Sequence, residues 1–423
     1  MCRWVTLLSS EPLSLSDVVL APSNSLIVQS RDARFHPGYD EVNNAALNAD
    51  GFGVGWYHRN VAKIPAVVRP VAADGTVSRG APTPASPAVP AICALPSQNT
   101  KMGDHQTRKA AIFRDTFPAW NNMNLRELCM ATSSDCIMAH VRAASTGTGI
   151  SLNNCHPFKT GRLMFCHNGR IFGYQQIKRR FLAELSDEAF LHIKGTTDSE
   201  GVFGLILTIL ARDEHAAECG SPLMQTTPFG AKRLCNAIKK ALAKIAQILD
   251  EANLEQRDYC TCNFALTDGE TIVVTRYCDQ SPEVPPPSLY FAFGCTLQEE
   301  FTGEATMMPI LKKPDTMEIE DEKKDAMSTD SNDVDDEAQS DSSDESDFET
   351  MRVLLNRRES KPGKIFTDVN AAEATFVVSS DPLTRTHCWH KVPKNSIMWC
   401  TRGKHPELRL LTKKTLVVDK PAS

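Results

Sequence analysis

Cysteine is the second residue of the chain, in the sequence Met1-Cys2-Arg3-Trp4. Removal of the initiator methionine would place a thiol and a free α-amine on one residue. Ordinary pKa values of about 8.5 for a thiol and about 7.7–8.0 for an α-amine lie close together, so the amine can accept the proton of the thiol. Cys2 could therefore act as a nucleophile that carries its own base. The alternative is a small buried residue at the start of a strand, because free cysteine is among the most buried residue types.

Three short polar motifs follow Cys2 and could supply the other parts of such a site. They lie at residues 140–146, 166–169 and 196–200. An arginine can hold a carboxylate through two parallel hydrogen bonds, and a glycine lets a backbone N–H approach a ligand without a Cβ in the way. Taken singly, Arg142 could be a surface ion-pair partner, Asn168-Gly169 an ordinary turn and Asp198 a helix N-cap.

Cys2 and the three motifs, in this order, resemble the class II glutamine amidotransferases, a family of N-terminal nucleophile hydrolases. The resemblance implies an α+β fold, a four-layer αββα sandwich. It also implies that Cys2 attacks the γ-carbonyl of a glutamyl amide while its α-amine carries the proton to the leaving nitrogen. The oxyanion hole of the family maps onto the side-chain amide of Asn168 and the N–H of Gly169.

The resemblance assigns the two ends of the glutamyl group to two further residues. Arg142 would bind the α-carboxylate and Asp198 the α-ammonium group. Ser145 stands where the family often has a hydroxyl near the substrate, which is a looser match. Neither a metal nor another cofactor is expected.

The histidines and the later cysteines are given structural roles. His140, His156 and His167 are predicted to be structural hydrogen-bonders, because this mechanism needs no histidine. The spacing of a later group of cysteines is not that of a zinc site; these are Cys260, Cys262, Cys278 and Cys295.

Length and charge limit the classes of partner. The chain has 423 residues, a formal net charge of −6 and a sequence pI of about 6.0, so its overall charge points neither to nucleic acid nor to an anionic membrane. No apolar run approaches the ~18 residues of a membrane span, and the patch at residues 5–8 is too short for a secretory signal. Fourteen scattered cysteines indicate reduced thiols, and we expect a cytoplasmic protein.

The hydrophobic pattern predicts alternating regions of strands and helices. Strands are expected at residues 3–8, 48–57, 136–142, 162–166, 289–293 and 375–379, a hairpin around Asp268-Gly269, and helices at 173–185, 200–212 and 231–253. In residues 48–57 glycines alternate with bulky residues, which predicts a strand with one face close against backbone or ligand.

The chain is predicted to be one glutamine amidotransferase domain over residues 2–423 with two insertions. A Pro/Ala-rich insertion lies near 62–97, and an acidic insertion near 312–360. The acidic insertion is so charged and so poor in apolar residues that burial cannot offset its ordering entropy, so we expect it to be disordered.

Within the family, the chain resembles a stand-alone branch that lacks an ammonia-using acceptor domain. This branch includes the Dug-type subunit of the alternative glutathione-degradation complex, and the resemblance is carried by residues 1–4, 25–30, 48–57 and 379–384. It implies hydrolysis of the γ-glutamyl bond of glutathione through a Cys2 thioester, together with a peptidase-like partner subunit. Two alternatives remain: a glutaminase subunit that supplies ammonia to a partner synthetase, and a non-catalytic scaffold with an acidic interaction loop.

Overall fold

The computed structural model describes residues 2–32, 47–58, 108–145, 147–214, 221–254, 257–280, 284–294, 375–384, 389–412 and 416. The two insertions expected from the sequence, near 62–97 and near 312–360, lie outside these residues. The single-domain boundaries therefore stay a prediction.

The described strands form two antiparallel sheets. The strands are β1 (Arg3–Ser14), β2 (Phe52–His58), β3 (Lys109–Asp115), β4 (Ser133–Val141), β5 (Phe158–Thr160), β6 (Leu163–Arg170), β7 (Thr261–Thr267), β8 (Thr271–Arg276), β9 (Tyr290–Phe293), β10 (Thr375–Ser379), β11 (His390–Lys391), β12 (Ser396–Thr401) and β13 (Glu407–Leu410). The first sheet has seven strands in the order β11-β9-β10-β1-β4-β2-β3, and the second has six in the order β13-β12-β8-β7-β6-β5.

The described helices are α1 (Leu15–Val19), α2 (Leu26–Arg31), α3 (Met123–Ala131), α4 (Tyr174–Ala183), α5 (Asp187–His192), α6 (Asp198–Ala211) and α7 (Ala231–Ala252). Short 3₁₀ turns cover Ala119–Asn121 and Leu152–Asn154. None of these helices has both the length and the apolar character needed to cross a bilayer.

Alternation along β1 shows how the layers are built. Trp4 and Leu8 point into the apolar core between the two sheets, whereas Val5 and Leu7 point into the core beneath α1, α2 and α3. Successive residues of a strand face opposite sides, so one strand serves both cores.

The second sheet has the same arrangement. Phe165 of β6 packs in the core shared with α4, α6 and α7, while Met164 and Cys166 face the first sheet. The layers are therefore helix, sheet, sheet and helix, and the expected αββα sandwich is confirmed.

The glycine-rich strand β2 also behaves as predicted. A Cβ on Gly53 would lie 2.1 Å from the carbonyl oxygen of His156, and one on Gly55 would lie 2.5 Å from the sulfur of Met164. The glycine face of β2 thus lets the backbone of the segment before β5 and the Met164 side chain of β6 pack directly against it.

One boundary differs from the prediction and affects the site. The sequence suggested that the strand ends at residues 167–169, but β6 continues to Arg170. Asn168 and Gly169 pair with Asn263 and Cys262 of β7, so they are part of the sheet and do not form a turn.

A buried ion pair fixes the start of β1. Arg3 Nε donates to Asp381 Oδ2 at 2.9 Å, and both side chains are almost fully buried. Asp381 Oδ1 accepts from Ser288 Oγ at 3.0 Å, and the N–H of Trp4 donates to Ser380 Oγ at 3.0 Å. The loop after β10 therefore holds the residue that follows Cys2.

Replacing Asp381 tests this anchor. Asp381→Asn would leave Arg3 as a buried charge without its carboxylate, and we expect the free energy of unfolding to fall by about 3 kcal/mol. Asp250→Asn is the matched control, because the Arg257–Asp250 pair is on the surface, and its loss should cost about 0.5 kcal/mol. Urea unfolding followed by circular dichroism measures both; equal losses would contradict a special role for the buried pair.

Candidate active site

Cys2 lies beside the residues that follow β4. Its Sγ is 3.4 Å from the N of Ala143 and 3.5 Å from the O of Ala143. The register explains this position, since Arg3 pairs with Val141 in the β1–β4 ladder and residue 2 therefore falls next to Arg142 and Ala143.

The electrostatic surroundings of the thiol come from two separate motifs. Burial raises the pKa of the Cys2 thiol. The Ala143 N–H and the Arg142 guanidinium lower this pKa, and the Asp198 carboxylate adds to the rise. Arg142 and Asp198, predicted to hold opposite ends of a substrate, thus both act on the same sulfur.

Arg142 has a buried guanidinium without a carboxylate partner in the described part of the chain. Nη1 donates to the carbonyl of Asp50 at 3.4 Å, and Nη2 donates to Thr148 Oγ1 and the carbonyl of Gly149, each at 3.2 Å. Only neutral acceptors orient this cation, so its charge is available for an anionic ligand.

Asp198 is the first residue of α6. Thr197 is the N-cap, and its Oγ1 accepts from the N–H of Glu200 at 3.2 Å, so the N-cap alternative for Asp198 is wrong. Asp198 Oδ2 accepts from the N–H of Ile171, and Oδ1 accepts from the N–H of Ser199, each at 2.8 Å. These bonds fix the carboxylate between the end of β6 and the start of α6.

His167 supports the same helix start from β6. Its Nε2 donates to the carbonyl of Thr261 at 3.0 Å, and its Nδ1 lies 2.9 Å from Ser199 Oγ, which also lies 3.2 Å from Asp198 Oδ1. Burial lowers the pKa of His167, although Asp198 and the Thr261 carbonyl act to raise it. The prediction that His167 is a structural hydrogen-bonder is confirmed.

Asn168 and Gly169 occupy the end of β6. Asn168 lies two residues after Cys166 and shares its face, which is the face toward the first sheet. Cys166 is close enough to the nucleophile that the Cys2 charge contributes, after burial, to its raised pKa. Asn168 Oδ1 is buried without a hydrogen-bond partner among the described residues. The predicted oxyanion residues are therefore on the strand that faces Cys2.

Gly169 meets a steric requirement that no other residue would meet. Its φ is +153°, and a Cβ there would lie 1.9 Å from the carbonyl oxygen of Thr261. A side chain at this position would push β6 away from β7.

Ser145 is the predicted site residue with the weakest connection to the others. It is exposed. Its carbonyl accepts from Thr148 N at 3.0 Å and from Thr148 Oγ1 at 2.7 Å. Thr148 in turn accepts from Arg142, so in this structure Ser145 acts on the arginine through its backbone.

Sequence reasoning missed three residues that position Arg142. They are Asp50, Thr148 and Asn154. Asp50 Oδ2 accepts from the N–H of Ala144 at 2.7 Å, and Asn154 Nδ2 donates to the carbonyl of Gly149 at 2.9 Å. Asp50 and Thr148 lie in loops and Asn154 ends a 3₁₀ turn, so no strand or helix periodicity marks them, although Asp50 lies two residues before β2.

Two histidines stack in the space between the sheets. The ring centroids of His140 and His156 are 4.1 Å apart, with 30° between the ring planes. The ring nitrogens of His156 are buried without hydrogen-bond partners in the described part of the chain, so the predicted hydrogen-bonding role is wrong for His156. Burial lowers the pKa of His140 to about 3 and that of His156 well below its ordinary value.

Comparison with known proteins agrees with the site. The family described as class II glutamine amidotransferases matches residues 103–228. Probable glutamine amidotransferase DUG3 of Saccharomyces cerevisiae is 31% identical over 324 residues, which is 76% of this chain and 76% of that protein. The chain belongs to the class II glutamine amidotransferases, and it is a hydrolytic enzyme of that type.

A more distant relative carries a γ-glutamyl substrate in its name. The gamma-glutamyl-hercynylcysteine sulfoxide hydrolase of Mycolicibacterium smegmatis is 26% identical over 171 residues, 40% of this chain and 52% of that protein.

Solved structures show weaker likenesses. A glutamine aminotransferase class-II domain protein from Silicibacter pomeroyi has a TM-score of 0.44 and 16% identity, covering 97% of this chain and 99% of that chain. The glutamine phosphoribosylpyrophosphate amidotransferase of B. subtilis has a TM-score of 0.43 and 10% identity, covering 97% of this chain and 50% of that chain. The αββα assignment rests on the layers and strand order of this chain.

Acid should destabilise the protein through the stacked histidines. An unfolded histidine titrates near pH ~6.5, whereas His140 and His156 stay neutral in the fold, so the unfolded state binds more protons as the pH falls below about 6.5 toward about 3. The free energy of unfolding should fall in that window by up to about 1.4 kcal/mol per pH unit for each histidine. His140→Phe should reduce this slope in urea unfolding between about pH 7 and about pH 5. The exposed His192→Phe is the control, and equal slopes in both variants would contradict the account.

Gly169→Ala tests the steric requirement at the oxyanion strand. Overpacking against Thr261 should cost about 1–3 kcal/mol of stability, and displacement of the N–H should lower turnover of a glutamyl amide by about 10²-fold. Gly149→Ala is the stability control, because a Cβ there meets nothing within 4 Å. Its unfolding free energy should stay within about 0.5 kcal/mol of the parent. A Gly169→Ala protein with unchanged stability and turnover would show that the site tolerates a side chain.

Proposed function

We propose that the chain hydrolyses the γ-glutamyl bond of glutathione through a thioester on Cys2, as the amidotransferase subunit of a glutathione-degrading complex. The observation that carries the proposal is the β1–β4 register that places Cys2 beside Arg142, together with the effect of both the Arg142 and the Asp198 charge on the pKa of the Cys2 thiol. The Arg142 guanidinium can bind a carboxylate, and the Asp198 carboxylate can bind an ammonium group. Both groups near one thiol suit an amide whose acyl part is a glutamyl group with a free α-carboxylate and a free α-amine.

Activation of the thiol falls to the α-amine of Cys2. Burial raises the pKa of the thiol, so it needs a base near neutral pH. Among the described residues, Ala143 is the sole hydrogen-bond partner of Sγ, and it offers no titratable group. Removal of Met1 would free an amine with a pKa of about 7.7–8.0 on the same residue.

The acylation step uses the two strands that face each other. The thiolate attacks the γ-carbonyl carbon, and the negative charge on its oxygen is stabilised by the Asn168 amide and the Gly169 N–H. The C–N bond then breaks as the α-ammonium group of Cys2 gives its proton to the leaving nitrogen. The glutamyl group remains on Cys2 as a thioester.

The second half of the reaction returns the enzyme to its starting state. The same amine takes a proton from a water molecule, and the oxygen of that water attacks the thioester carbon. The C–S bond breaks, glutamate leaves, and Sγ regains its proton from the amine. Each step uses groups already present in the site, so no oxidant, metal or cofactor is required.

The choice of glutathione rests on what the site recognises and on its relatives. Arg142 and Asp198 recognise the glutamyl end, which glutathione shares with glutamine. They do not select the leaving group on the other side of the amide bond. The likeness to the yeast DUG3 protein and to a gamma-glutamyl-hercynylcysteine sulfoxide hydrolase supports a γ-glutamyl substrate. With glutathione the leaving group is cysteinylglycine.

A partner subunit and a cytoplasmic location complete the proposal. A peptidase-like partner would consume the released dipeptide. All cysteines in the described part of the chain are free thiols, which supports a reducing compartment.

Product analysis tests the proposal. The purified protein, alone and in the complex captured from its source cells, is given glutathione or glutamine at equal concentrations. We expect cysteinylglycine and glutamate from glutathione, with kcat/KM at least about tenfold above that for glutamine, and loss of both activities in Cys2→Ala. Ammonia release from glutamine with intact glutathione would instead favour a glutaminase subunit.

Recognition of the α-carboxylate is tested separately. Arg142→Lys loses the paired hydrogen bonds, so we expect kcat/KM to fall by about 10²-fold. The exposed Arg126→Lys on α3 is the matched control and should keep the parental value. A fall of equal size for substrates with and without an α-carboxylate would contradict the assignment of Arg142.

A further inference from the structure

A second cleft lies where the edge strands of the two sheets meet. It has a volume of about 160 Å³ and lies between β3, β5, α5 and α6. Lys159 Nζ donates to the carbonyl of Ala110 at 3.2 Å and so joins β5 to β3 beside it. The apolar part of its wall consists of Ile112, Phe158, Ala189, Ile193, Phe203 and Leu207.

The charged groups that line this cleft have a definite arrangement. Arg114, Lys159 and Lys194 bring positive charge, and Glu200 brings the one carboxylate among the described lining residues. Arg114 Nη1 donates to the carbonyl of Cys155 at 2.9 Å, and no carboxylate pairs with this guanidinium in the described part of the chain. Its other N–H donors are left for a ligand.

Glu200 is held with its carboxylate fixed. Its Oε1 accepts from the N–H of Lys194 at 2.9 Å and its Oε2 from the N–H of Gly195 at 2.6 Å. Burial raises the pKa of Glu200, and these backbone bonds together with Arg114 oppose the rise. Each carboxylate oxygen can accept a further hydrogen bond.

We propose that this cleft binds a small zwitterion of amino-acid or dipeptide size, with its carboxylate on Arg114 and Lys159 and its ammonium group on Glu200. A simple cation would face three positive side chains, and a simple anion would face the Glu200 carboxylate at the same time as the cations. A ligand with both charges satisfies both groups. The apolar wall leaves room for the short chain of atoms between the carboxylate and the ammonium group of the ligand.

A chain of hydrogen bonds connects the cleft to the active site. The loop at residues 194–196 binds Glu200 at one end, and at the other end the N–H of Thr196 donates to Asn154 Oδ1 at 2.8 Å. Asn154 Nδ2 donates to the carbonyl of Gly149 at 2.9 Å, which also accepts from Arg142 Nη2 at 3.2 Å.

This loop has little freedom to absorb a change. A Cβ on Gly195 would lie 2.4 Å from Asn154 Oδ1, so the loop is packed directly against the asparagine. A ligand that shifts the Glu200 carboxylate should therefore also shift the acceptors of Arg142, and we expect it to lower KM for the glutamyl substrate.

Binding is measured with the active site disabled, so the test does not depend on which amide the enzyme cleaves. The protein is Arg142→Met, or Asp198→Asn if the first variant lacks the parental circular dichroism spectrum. The probe is glycylglycine, titrated by isothermal calorimetry, and we expect saturable one-to-one binding with a Kd on the order of 1 mM.

Matched variants and probes identify the contacts. In the same background, Arg114→Gln should weaken glycylglycine binding at least about tenfold, and the exposed Arg179→Gln on α4 should leave it unchanged. Glycylglycinamide, which lacks the carboxylate, and N-acetylglycylglycine, which lacks the ammonium, should each bind at least about tenfold more weakly. Glu200→Gln should remove the preference for glycylglycine over its N-acetyl form.

Three results would overturn the proposal. They are the absence of saturable binding up to about ten times the expected Kd, binding that Arg114→Gln leaves intact, and equal affinity for the three probes.

In the parental enzyme, millimolar glycylglycine should lower KM about threefold, and Arg114→Gln should abolish that effect. A loss of glutathione hydrolysis in the parental enzyme would bear on the proposed function and leave this binding result standing.

Discussion

The register between β1 and β4 is the constraint on which the rest of the site depends. Because Arg3 pairs with Val141, Cys2 falls beside Arg142 and Ala143. The buried Arg3–Asp381 ion pair keeps that register from the other side of β1. A one-residue slip would turn every side chain of β1 to the opposite face, moving Trp4 from the core between the sheets to the core beneath the helices and misplacing the nucleophile.

Uncompensated charge is the second feature of the site. Arg142 is buried and bound by carbonyls and a hydroxyl, while Asp198 is bound by backbone N–H groups, so neither is neutralised by the other. A buried cation and a half-buried carboxylate kept apart cost stability in the free protein. A ligand with the opposite charges at matching positions would recover that free energy on binding, which supports the proposed selectivity for a glutamyl group.

The sequence allowed most strands and helices to be predicted, because strand alternation, the amphipathic pattern of α7 and the Asp268-Gly269 hairpin are local patterns. The αββα layers were implied by the resemblance to a family. Cys2, Arg142, Asn168 and Asp198 came from a resemblance to a family and not from periodicity. The failures have physical reasons. An Asn-Gly pair usually marks a turn, but here glycine at positive φ continues the ladder against Thr261. The roles of Thr148 and Asn154 depend on loop geometry, and the stacking of His140 on His156 depends on contact between distant segments.

We propose that Cys2, as the first residue of the processed chain, forms a γ-glutamyl thioester. The most direct measurement is mass spectrometry of the N-terminal peptide after enzyme turning over glutathione is quenched in acid and digested. The account predicts a peptide that begins at Cys2, lacks Met1, carries one glutamyl group and loses it on treatment with hydroxylamine. An active enzyme whose N-terminal peptide retains Met1, or a glutamyl group attached to a different residue, would contradict it.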